Sequence, residues 1–181
     1  EPATLFTSKT RFGGYGGPIV AYSRIAGEDG ALIGAEGALL IDHRLAIGGA
    51  GYIWTRGGND SFESGGEFLN RQVAYGGLVL RYSILTGTPV YASVGALVGG
   101  GAVVLGHDRY DEDVDPDDIG TATDGFFVVE PQLSVQVNLM RWMRVGIQGG
   151  YRITSGLGEW GYTEADLNGV TLGGTVQFGY L

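Results

Sequence analysis

The chain reads as all-β: eight antiparallel strands closed into an up-and-down barrel that crosses a membrane. Three observations carry this. Apolar and polar residues alternate over stretches too long for the strands of most soluble domains. Charge is concentrated between those stretches and nearly absent within them. Short connections tend to alternate with long ones along the chain.

Residues 126–139 show the alternation most clearly. Phe127, Val129, Pro131, Leu133, Val135, Val137 and Leu139 fall on one side of an extended chain; Glu130, Gln132, Ser134, Gln136 and Asn138 fall on the other. A strand crossing a bilayer needs about 9–11 residues of this kind.

The other strands follow in order. In residues 11–25 glycines blur the alternation and leave the two faces open. A turn is expected at Glu28-Asp29-Gly30. Residues 31–41 place Ile33, Ala35, Leu39 and Ile41 against Glu36. Asp42-His43-Arg44 is a short turn. Residues 45–55 set Leu45, Ile47 and Ile53 against Tyr52 and Trp54, and which of these faces lipid stays open. After a polar loop over 57–68, residues 71–85 place Ala74, Leu78, Leu80, Tyr82 and Ile84 against Arg71, Tyr75, Arg81 and Ser83. Thr86 to Pro89 turns the chain into residues 90–105. The longest loop, 107–124, precedes 126–139. Residues 143–153 point Arg144, Gln148 and Arg152 inward, and a loop at 155–167 leads to a last strand through Tyr180. No helical period is visible.

Composition narrows the function classes. The 181 residues suit a single barrel domain spanning 1–181. There are 35 glycines without a triplet repeat, which excludes collagen, and no cysteine, which excludes disulfides and thiolate metal sites. A net charge of −9 argues against nucleic acid as a partner. The chain opens on Glu1, which reads as a mature form whose signal peptide has been removed. The strands lack a charged face for water, so the apolar face is expected to meet lipid and the polar face to line a lumen.

At this level of pattern the chain resembles the small outer-membrane β-barrels of Gram-negative bacteria, the OmpA-, OmpX- and OmpW-like group. Val176, Phe178 and Tyr180 match the alternating, aromatic-ended terminal signal of that group, with Leu181 one residue beyond it. The segment GGYGGPIVAYSRI…GAEGALLIDHRLAIGGAGY is similar to uncharacterised members. The resemblance implies location in the bacterial outer membrane, no cofactor, and contact with outer-membrane lipids or lipopolysaccharide and with other outer-membrane proteins.

Three groups stand out as candidate sites. Glu36, Arg81, Glu130, Arg144 and Arg152, with Arg71, project to the polar face. A barrel of about eight strands holds side chains and little else, which favours an internal ion-pair network over a selectivity lining. Pairing of 126–139 with 143–153 sets Leu139 opposite Met143, Val137 opposite Val145 and Ser134 opposite Gln148, and predicts a Glu130–Arg152 contact. The second group is Asp111, Asp113 and Asp115 in DEDVDPDD. It begins like an EF-hand, but Pro116 replaces the required glycine and Ala122 the bidentate glutamate, so a solvated loop is favoured over a weak divalent site. The third, His107 with Asp108, is the best candidate for a rim-site lipid-modifying enzyme, although no second catalytic group accompanies it. His43 reads as a solvated turn residue. Tyr82, Trp142, Phe178 and Tyr180 suit an interfacial girdle. The expected role is structural or accessory, without enzymatic activity. A lipid-modifying enzyme, a narrow channel and a soluble ligand-binding barrel are the rivals.

Overall fold

The computed structural model describes residues 11–55, 63–64, 67–84, 89–107, 122–156 and 164–180; at 63–64, 67–72, 104–107 and 122–124 it describes the backbone alone. Nine strands run in order: β1 Phe12–Ile25, β2 Glu28–Ile41, β3 Leu45–Thr55, β4 Glu63–Ser64, β5 Glu67–Ser83, β6 Val90–His107, β7 Ala122–Met140, β8 Met143–Ser155 and β9 Gly169–Tyr180. Strand β4 is a two-residue appendage on β5. The other eight each pair antiparallel with both neighbours. The β1–β9 and β3–β5 pairings close them into a barrel.

The closure is staggered. One path of paired residues runs Gly13, Leu40, Ala46, Arg81, Gly95, Gln132, Gly150, Thr171 and returns to β1 at Ser23. Strands in a closed barrel tilt to satisfy such a shift. Residues distant on one hairpin therefore come level across the interior.

Burial follows the alternation. Leu78, Leu80, Leu133, Val135, Ile147 and Leu172 lie on the outside; Glu36, Arg81, Glu130, Gln132, Arg144 and Arg152 are buried inside. The faces left open by the sequence are settled. Strand β1 turns Tyr15, Ile19, Ala21, Ser23 and Ile25 inward, and β3 does so with Tyr52 and Trp54.

Three expectations need correction. The first hairpin turns at Ala26-Gly27, both with positive φ (51° and 79°), and Glu28-Asp29-Gly30 already belongs to β2. Two successive positive φ values give the two-residue turn that suits the twist of a hairpin. Gly30, which looks like a turn glycine, instead makes room for Trp54, whose indole nitrogen lies 2.4 Å from where a Cβ would stand. Secondly, Glu164–Leu167 forms a single turn of helix, α1, where only loop was expected. Thirdly, the inner wall is not polar throughout. Ile25, Leu32, Trp54, Val73, Val103, Phe126 and Val128 form an apolar cluster inside the loop-end half, and Leu167 of α1 packs into it. The interior of a narrow barrel is a folding core and is packed as one.

Candidate functional site

The inward side chains of the middle of the barrel form one hydrogen-bonded network. Glu36 projects from β2 and Arg81 from β5, and both are 4% exposed. Their contact is bidentate: Arg81 Nη1 to Glu36 Oε1 at 2.6 Å and Nη2 to Oε2 at 2.9 Å. Parallel donors match the planar carboxylate, the strongest geometry available to such a pair. Tyr15 donates to Glu36 Oε1 at 2.5 Å. Arg81 Nη2 also reaches Gln132 Oε1 at 3.1 Å, and Gln132 Nε2 donates to Glu130 Oε1 at 3.2 Å. Glu130 accepts from Thr171 at 2.8 Å and Tyr75 at 2.9 Å. The network thus runs from β1 through β2, β5 and β7 to β9.

Glu130 and Arg152 are each 1% exposed and face the same interior, but no ion pair joins them. The register between β7 and β8 is the expected one along most of its length, with Val137 opposite Val145, Asn138 opposite Arg144 and Ser134 opposite Gln148. It departs at the turn, where an irregularity leaves Met140, rather than Leu139, opposite Met143. The expected contact fails for a different reason. Glu130 spends its oxygens on Tyr75, Thr171 and Gln132. Arg152 turns the other way, donating Nε to the Leu167 carbonyl at 2.7 Å and Nη2 to Ser23 Oγ at 3.2 Å. The Leu167 carbonyl ends α1 and has no helical partner, so a cation there satisfies an orphan acceptor. Tyr75 lies between the two charges, its hydroxyl on Glu130 and its ring centroid 5.3 Å from the Arg152 guanidinium carbon.

Arg144 forms a separate group near the short-turn end, with Asn138 Oδ1 at 2.8 Å, Gln136 Oε1 at 3.3 Å and the Tyr91 ring at 4.3 Å. Trp142 and Phe178 stack on the outer surface at that end, with Tyr82 and Tyr180 also exposed there.

The remaining candidates are not brought together. His107 ends β6 and its side chain is not described; Asp108 and the acidic run Asp111, Asp113 and Asp115 lie outside the described residues, as does the side chain of Arg71. His43 is half-buried in the turn after β2, with φ 55°. Among the described residues no group of three or more His, Cys, Asp or Glu side chains is arranged to hold a metal.

Sequence reasoning missed Tyr15 and Thr171 as network members. Thr171 alternates with Val170 and Leu172 in the last strand, and that parity was the available signal. Tyr15 was hidden by the glycines around it. Gly150 is a further contributor: a Cβ there would stand 2.7 Å from Glu130 Oε1, so its bareness leaves space for the carboxylate.

The sequence matches no protein-family model and no curated protein. Solved structures do match. Neisserial surface protein A (NspA) superposes with a TM-score of 0.64 at 11% identity, over 94% of this chain and 99% of its own. Ail, the attachment invasion locus protein of Yersinia pestis, superposes with a TM-score of 0.53 at 12% identity, over 92% and 97% of the two chains. Ail in complex with the heparin analogue sucrose octasulfate gives 0.54 at the same identity. At this identity the likeness is one of architecture, and the architecture is that of the small eight-stranded outer-membrane β-barrels.

Proposed function

We propose that the chain is a single-domain β-barrel of the bacterial outer membrane with a structural or accessory role, exercised through its outer wall and loop end. One observation carries this reading: the outer wall is apolar, while the Glu36–Arg81 ion pair is turned inward. Leu78, Leu133, Ile147, Val170 and Leu172 are all more than half exposed, while Glu36 and Arg81 are buried. In water such a wall would be an aggregation surface; in a bilayer it is the required solvent contact.

This reading predicts that the protein is extracted only with detergent and migrates differently on a semi-native gel before and after boiling. A monodisperse monomer in buffer without detergent would overturn it. The polar network and the apolar cluster above it support a lumen closed to ions. No stable conductance is therefore expected in planar bilayers, and reproducible single-channel steps altered by Arg81→Gln or Glu130→Gln would establish the channel reading instead. Catalysis forms no part of the proposal.

Charge bears on the partner. Ail is known with a heparin analogue, a polyanion. In the present chain the connection after β6 carries Asp108, Asp111, Glu112, Asp113, Asp115, Asp117 and Asp118 against Arg109 alone, and the connections after β3 and β8 add Asp60, Glu63, Glu159, Glu164 and Asp166 against Arg56. Sequences so acidic repel polyanions. We infer that its loop-end partners are neutral, cationic, or bridged by divalent ions, as lipopolysaccharide headgroups are.

A further inference from the structure

The inward-facing charges of the described residues do not balance. Among the described residues the buried charged side chains are Glu36, Arg81, Glu130, Arg144 and Arg152. Glu36 is paired with Arg81, and Glu130 and Arg152 flank Tyr75. Arg144 is the cation left over. It is 5% exposed, and its contacts are Asn138 Oδ1, Gln136 Oε1 and the face of Tyr91, all neutral. Among the described residues its Nη2 makes no hydrogen bond, and it is not one of the fully buried unpartnered atoms, so it opens on the mouth. A guanidinium largely withdrawn from water without a countercharge is costly.

Unused donors surround it. Gln177 stands directly opposite Arg144 on β9 and is 1% exposed, yet neither atom of its amide has a hydrogen-bond partner. Gln136, whose oxygen accepts from Arg144, has an unpartnered Nε2. Buried amide groups are normally satisfied, so two orphans beside an unpaired cation point to a missing acceptor. Among the described residues Arg11, Arg44 and Arg141 lie on the exposed rim at this end, outside the lumen, with Asp42, which accepts the Arg11 backbone N–H at 2.9 Å.

We propose that the short-turn mouth of the lumen binds a small anion, held by Arg144 Nη2 and the amide N–H groups of Gln136 and Gln177. Lipid headgroups are not the source, because these side chains face the lumen and lipid meets the outer wall.

Chloride is the probe, compared with gluconate at equal ionic strength, on the full chain in nonionic detergent. Chloride is expected to raise the urea unfolding midpoint saturably, and gluconate to leave it unchanged. Arg144→Gln should abolish the difference, whereas Arg141→Gln, on the exposed rim, should retain it. Gln177→Leu keeps the cation and should weaken apparent affinity about tenfold, the effect of losing one hydrogen bond to a charged group. If Arg144→Gln does not fold, Gln177→Leu decides alone. The proposal is overturned if neither chloride nor inorganic phosphate differs from gluconate with the wild-type chain. It is equally overturned if the response survives Arg144→Gln, if Gln177→Leu leaves the affinity unchanged, or if Arg141→Gln removes the response as fully as Arg144→Gln does.

Discussion

Replacing Arg81 by leucine is expected to destabilise the barrel by about 3–5 kcal/mol, the cost of leaving a buried charge unpaired. The Glu36 side chain would lose both guanidinium bonds and, among the described residues, keep Tyr15 as its donor. Glu36→Leu should cost a similar amount, because Arg81 would then retain only Tyr15 and Gln132. The double variant should cost far less than the sum, since removing both charges removes the desolvation penalty with the attraction. Urea unfolding of the four proteins in lipid vesicles measures the coupling. Single variants that are neutral and additive would show that water reaches the pair and that the network contributes little.

Much of this architecture is legible in the sequence, for a physical reason. A wall between two unlike environments forces every second residue to match one of them, so the faces of β2, β5, β7 and β8 can be read residue by residue. The legibility ends where that pressure weakens. Strand β1 carries glycines at 13, 14, 16 and 17, which mark neither environment, and Tyr15 was lost among them. The Ala26-Gly27 turn was obscured by Glu28-Asp29-Gly30, a better turn by composition whose glycine serves Trp54 instead. The candidate network divides in the same way. That Glu36, Arg81 and Glu130 point inward follows from parity. Which of them meet depends on the stagger of the closed barrel, a sum over all eight pairings that no single hairpin reveals. A correct β7–β8 register therefore still gave the wrong partner for Glu130. Tyr75 arrives from β5 across the interior, and Arg152 is drawn off by a carbonyl of α1, a helix too short to leave a period in the sequence.

Leu133→Arg is expected to cost about 2–4 kcal/mol in a bilayer, the penalty for a cation on the lipid face near the midplane. Leu133 is 65% exposed on the outer wall, midway along β7, with Val94 and Gly149 as its cross-strand neighbours. None of these contacts would oppose an arginine in water, where a surface substitution of this kind changes stability by only about 0.5 kcal/mol. The size of the effect therefore reports the solvent around the wall rather than any local clash. Phe127→Arg supplies the depth control. Phe127 is exposed on the same face of β7, six residues nearer the loop end, and its partner Ser155 is the last residue of β8. An arginine there can reach the interface, where the penalty falls to about 0–1 kcal/mol. Unfolding midpoints of both variants in vesicles give the comparison. A large cost at 133 with a small one at 127 places residue 133 in the hydrocarbon core. Equal and negligible costs would mean that water bathes both positions, and the membrane-spanning reading would fall.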